Sequence, residues 1–130
     1  MPDISEDVEP MIMADKRIEF VGWQSTKDLE SLLCGADVYM QPGSQSATMQ
    51  MSLCCHCAIV LENLDGHEMY VKGNGWLITE ANEISDILMA IGKKQINLDE
   101  MKRLSKKIAI DLLDYSKLAR KILIMDQVDQ

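Results

Sequence analysis

The chain has 130 residues and a formal net charge of −8, so one domain with room for a real core is expected. The acidic balance argues against a nucleic-acid groove or an anionic membrane surface as the main partner, although acidity is also an ordinary route to solubility. With 47% apolar and 26% charged residues, the composition is that of a soluble globular protein.

No uninterrupted apolar run approaches the ~20 residues of a membrane span, and no basic, apolar leader opens the sequence. Three of the four cysteines, Cys54, Cys55 and Cys57, are crowded together rather than spaced as a disulfide framework. A reducing cytoplasm is the expected location. Ten methionines against one phenylalanine imply a soft core or a methionine-lined contact surface.

Residues 1–16 read as an acidic tail with one irregular helical turn near Val8 to Met13. Residues 17–23, RIEFVGW, are β-branched and aromatic and read as a first strand. Ser25 and Asp28 have capping-box spacing, and Leu29, Leu32 and Leu33 give the following helix an apolar stripe that Gly35 stops. Residues 36–40 read as a second strand. The polar loop Pro42 to Thr48 then leads into a helix of small and methionine residues. Residues 58–61, AIVL, are a continuous apolar run suited to a parallel strand covered on both faces. A Gly-Asn-Gly turn precedes a fourth strand over residues 75–78.

The remainder reads as helical. Asn82 is placed to cap a helix through Ile91, with Ile84, Ile87, Leu88 and Ile91 on one face. Asn97 and Glu100 form a second cap signature ahead of Met101, Leu104, Ile108 and Leu112. Ser116 starts a last helix with Leu118, Ile122 and Met125 inward. Strands alternating with helices predict an α/β fold, a Rossmann-like three-layer α/β/α sandwich around a small, mostly parallel sheet of about four strands.

The loop after the second strand is the first candidate site. Ser44, Ser46 and Thr48 supply hydroxyls, and the helix start supplies unpaired amides and a positive dipole end, a set that can hold a diphosphate without metal. A plain βα turn with a serine cap accounts for the same residues equally well. The run Cys54-Cys55-His56-Cys57 invites a zinc reading, but adjacent ligands on one helical turn diverge, so packing cysteines and no metal are expected.

The order of these pieces resembles the C-terminal, donor-binding half of GT-B glycosyltransferases of the retaining group that uses nucleotide-diphosphate sugars. The likeness rests on Phe20 and Gly22, on Leu29 through Val38 with Pro42, on Ala58 to Val60, and on Glu68 through Ile78. The terminal LLDYSKLARKIL is similar to the family's closing helix, and the likeness spans about residues 17–125. It implies donor and phosphate contacts from Gly43, Ser44, Gln45, Ser46, Ala47 and Thr48. Trp23, Gln24 and Gln50 would lie near nucleobase and ribose, and Glu68 near the donor pocket. An indole sealing a sheet edge and a solvated turn glutamate are the plainer readings of Trp23 and Glu68.

Two departures from the family stand out. Its paired glutamates, about two helical turns apart, are missing: Ser46 and residues 51–54 stand near those places, and no Glu occurs from residue 37 to 61. Gln45 and Gln50 offer hydrogen bonds without charge. The two βα units that open the family's half-domain are also missing, and with them its pyrophosphate-gripping basic residues. The resemblance thus implies an incomplete half of a GT-B fold, inactive by itself, that transfers sugar to a glycan or lipid acceptor only with its N-terminal complement. The sheet is expected to close by direct pairing of strands 17–23 and 36–40, or by association with a second copy in a homodimer. The alternative function is a non-catalytic assembly module that retains this fold; a nucleotide-sugar epimerase would need acidic residues the loop lacks.

Overall fold

In the computed structural model, which describes residues 6–128, three short strands form one parallel sheet: β1 (Val38–Gln41), β2 (Ala58–Glu62) and β3 (Gly75–Ile78), in the order β1-β2-β3. Val38 pairs with Ala58 and Gln41 with Leu61, while Ile59 pairs with Gly75 and Glu62 with Ile78. Around the sheet run α1 (Glu9–Ala14), α2 (Thr26–Gly35), α3 (Ala47–Cys54), α4 (Asn82–Gly92), α5 (Leu98–Leu113) and α6 (Tyr115–Val128). A 3-10 turn, Glu68–Tyr70, lies between β2 and β3. Among the described residues no helix is long and apolar enough to cross a membrane.

Alternate residues of a strand face opposite sides, and both sides of β2 are occupied. Ile59 and Leu61 are buried with Met49 and Leu53 of α3, Tyr70, and Ile108 and Ala109 of α5. On the other side, Ala58 and Val60 are buried, and Val60 shares a cavity wall with Met40, Ile78 and Ile84 of α4. Fully burying side chains of this size stabilises by about 1.5–3 kcal/mol each, so the four-residue apolar run explains why β2 is central. Gly75 sits where β3 passes so close to β2 that a Cβ would overlap the Ile59 carbonyl.

The sheet has three strands rather than the four expected. Residues 17–23 form no strand: Arg17 lies in a turn, Gly22 has φ +62° and Trp23 sits at a bend, and Ile18, Phe20, Val21 and Trp23 are exposed. The expected closure by pairing this segment with the strand after α2 does not occur, and β1 keeps an open outer edge. Strand propensity measures fit to a pleated, half-buried surface, and this segment lies on no such surface. Part of the expected tail, residues 6–16, carries the short helix α1, one residue displaced from the predicted turn; residues 1–5 lie outside the described residues.

Helix ends follow the sequence signatures in part. Ser25 Oγ accepts the Asp28 amide (3.2 Å) and Asn97 Oδ1 accepts the Glu100 amide (3.1 Å), both as expected. Asn82 does not cap α4: it lies inside the helix, Ala81 is the cap residue, and the Glu83 carboxylate reaches back to the Thr79 and Glu80 amides at 2.7 Å each. Ser116 is likewise inside α6, whose first amides at Ser116 and Lys117 are taken by Asp114 Oδ1. Of the predicted α2 stripe only Leu33 is buried, and Leu32 is exposed because no strand lies beneath that flank. On α4, Ile87 is buried and Leu88 exposed. The side chains of Ile122 and Met125 lie outside the described residues.

The CCHC run is a helix terminus. His56 has φ +66°, its amide bonds to the Leu53 carbonyl, and the Cys57 amide bonds to the Ser52 carbonyl, the two-bond Schellman closure of α3. Lys94 (φ +56°) closes α4 in the same way, with Lys94 and Gln95 amides on Ile91 and Ala90. Among the described residues no three His, Cys, Asp or Glu side chains are grouped so as to hold a metal.

Candidate functional site

All three strands are parallel, so their carboxyl ends share one edge, where open α/β sheets bind ligands. The loop from Pro42 to Ser46 leaves β1 there and opens α3. Ser46 is its pivot: its Oγ accepts the Met49 amide (3.1 Å) as the N-cap and donates to Gln41 Oε1 (2.6 Å). Gln41 Oε1 also accepts the Tyr39 phenol (2.5 Å), and Gln41 Nε2 donates to the Ser44 carbonyl. Burial raises the Tyr39 pKa, partly offset by Ser46, so Tyr39 remains a donor at neutral pH. The loop is therefore held by its own strand.

One contact changes the electrostatics. The Gly43 amide, presented at φ +94°, donates to Glu62 Oε2 at 2.8 Å. A carboxylate from the end of β2 thus occupies an amide that the resemblance would give to phosphate. Glu62 lies one residue beyond the predicted end of its strand, outside the stretch where the resemblance expects glutamates. Its signal is positional: an acid closing an apolar run, in a strand that pairs with the one feeding the loop.

A second loop is tied to the first. Gln45 Nε2 donates to the Gly66 carbonyl (3.3 Å), while Glu68 Oε2 accepts the Gly66 amide (3.0 Å). Gln45 and Glu68 therefore meet at one backbone residue, as parts of the same rim. His67, buried, places Nδ1 2.7 Å from the Glu62 carbonyl oxygen and anchors that rim to β2; nothing in the residue pattern singled it out. Gln50 Nε2 lies 3.4 Å from the Tyr70 hydroxyl, facing the helical side. Ser44 and Ala47 are exposed and Thr48 half-buried.

At the same edge, a cavity of about 240 Å³ is lined by Met40, Gln41, Pro42, Val60, Glu62 and Ile78 and closed by residues 79–81 and Ile84. Residues 43–48 do not line it, and neither do Trp23, Gln24 or Gln50. Its charged lining residues are acidic, Glu62 and Glu80, with no lysine or arginine among them. Trp23 is 92% exposed, so it seals no sheet edge, and Gln24 turns back to donate to the Val21 carbonyl (2.5 Å). The structure brings the Pro42-to-Ser46 loop, Gln45, Glu68 and Glu62 together; Trp23, Gln24 and Gln50 stand apart from them. Comparison with family models, curated proteins and solved structures returned no match.

Proposed function

We propose that this chain is the donor-side part of a Rossmann-like nucleotide-sugar glycosyltransferase, an incomplete GT-B half that works only with a complement supplied from elsewhere. The observation that supports it is the parallel β1-α3-β2 unit, whose Pro-Gly-Ser loop opens a capped helix at the carboxyl edge of the sheet, in the order the motifs require. In the complete enzyme a sugar passes from a nucleotide diphosphate to an acceptor hydroxyl. This part positions the donor, and the complement brings the cations that offset charge on the departing diphosphate. The donor sugar is substrate, and neither metal nor cofactor enters the reading.

Glu62 defines how the isolated chain behaves. While its carboxylate occupies the Gly43 amide, a diphosphate must displace a like charge, and the described lining of the adjoining cavity offers no lysine or arginine to help. Calorimetric titration with UDP, GDP and their sugars tests the reading. Glu62→Gln is expected to bind the diphosphates several-fold more tightly than the parent chain, with free uridine and guanosine unaffected. Failure of both proteins to bind any diphosphate at millimolar concentration refutes it.

A second reading, a non-catalytic assembly module on the same fold, is favoured by two features: the exposed apolar residues Ile18, Phe20, Val21 and Trp23, and the open β1 edge of the sheet. On this reading the chain self-associates as a homodimer. Sedimentation analysis that finds only monomer at high concentration refutes it.

A further inference from the structure

We infer that Cys34 and Cys55 form a redox-closable dithiol, converted by a low-molecular-weight disulfide into a bridge that staples the end of α2 to the end of α3. The two sulfurs lie 3.1 Å apart, while a disulfide needs about 2.05 Å. The bond requires an approach of about 1 Å together with a Cβ–S–S–Cβ dihedral of about ±90°. Both residues sit at helix ends: Cys34 is the penultimate residue of α2 and Cys55 the C-cap of α3.

The neighbouring cysteines do not share this geometry. Cys57 is buried, with its thiol directed at the Leu33 carbonyl (3.1 Å) and the Ala36 carbonyl (3.7 Å). Cys54 is exposed and borders the groove between α3 and the α5–α6 corner. Cys34 is exposed and Cys55 only half-buried, so an oxidant reaches the pair from solvent. Burial first, then the bond from Cys34, pushes the Cys55 thiol up to about 12, and Cys34, the more exposed of the two, is the sulfur an oxidant meets first.

The chemistry balances with glutathione disulfide as oxidant. The Cys34 thiolate attacks one oxidant sulfur; a mixed disulfide forms, the oxidant S–S bond breaks, and the departing thiolate takes up a proton. Cys55 then loses its proton to solvent and attacks Cys34 Sγ, closing the protein bridge and expelling the second glutathione thiolate. Two protein thiols are oxidised and one disulfide is reduced to two thiols. The closed loop contains all of β1, the Pro42-to-Ser46 loop and α3. Bridging therefore limits the unfolded chain across the segment that carries the candidate site.

The full chain is equilibrated over a range of glutathione disulfide to glutathione ratios, alkylated and weighed, then cleaved at methionine with cyanogen bromide, which separates Cys34 from the other cysteines. Two alkylatable thiols in place of four are expected, with fragments joined through Cys34 and Cys55 on tandem mass spectrometry. The oxidised chain should melt on the order of 10 °C higher, reversed by reductant. Cys54→Ser should still close, and Cys34→Ser and Cys55→Ser should not. Four alkylatable thiols under oxidising ratios, a bridge to Cys54 or Cys57, or a bridge between chains overturns the inference. The mapping on the unaltered chain decides even if a serine variant misfolds.

Discussion

Ser105 is a small residue on which three elements depend. Its hydroxyl donates to the Cys57 carbonyl (2.6 Å) at the start of β2 and accepts from Asn74 Nδ2 (3.1 Å) just before β3. Asn74 in turn donates to the Tyr70 carbonyl (3.0 Å) and accepts the Lys72 amide (2.7 Å). Ser105, Asn74 and Cys57 are fully buried. Ser105→Ala leaves one carbonyl and one amide hydrogen unpaired, each costing about 1–3 kcal/mol, and one missing oxygen frees less space than a water needs. The expected loss is about 2–6 kcal/mol out of a total of roughly 5–15, a fall in melting temperature on the order of 10 °C. Urea denaturation followed by circular dichroism measures it, with Ser31→Ala as the exposed control, expected within about 0.5 kcal/mol of the parent. In a cycle with Asn74→Ala the double variant should lose less than the sum, because both singles break the same bond. A Ser105→Ala loss no greater than that of Ser31→Ala refutes the reasoning.

Gly75→Ala drives a methyl into the Ile59 carbonyl; the variant should fail to give a cooperative unfolding transition, and a normal one would contradict the close approach of β3. The Glu80 and then the Thr79 amide hold the Glu83 carboxyl below its ordinary 4.5. Its support of α4 is therefore complete above that value and lost as pH falls through the lower, folded one. Amide NMR should show Thr79 and Glu80 shifting together only in acid, and not at all in Glu83→Gln; a midpoint at or above 4.5 counts against it. Trp23→Ala should remove the solvent-like component of tryptophan fluorescence and change stability by less than about 0.5 kcal/mol; a larger loss would mean that the indole is packed.

What the residue pattern disclosed was local. The bounds of β3, the apolar run of β2 and the caps at Ser25 and Asn97 all follow from interactions within a few positions, or from burial on both faces. What it did not disclose depends on partners distant in sequence. RIEFVGW has strand chemistry but no strand beside it, and Asn82 lost its cap role to Glu83. Gly-Asn-Gly reads as a turn, yet Asn74 is the buried link to a serine 31 positions away. The candidate loop could be located from the strand, the polar run and the helix start. That its Gly43 amide is held by an acid 19 residues on could not.

Among the described strands, β2 is the one paired on both sides. Its amides are therefore expected to exchange with solvent only when the whole domain opens, while β1 and β3 each leave one row of backbone groups facing outward. Opening free energies should fall away from β2 in both directions. The Pro42-to-Ser46 loop hangs from the end of an edge strand, on the shallow side of that gradient. Its contact with Glu62 is therefore expected to break and re-form on a timescale much shorter than unfolding, leaving the core undisturbed.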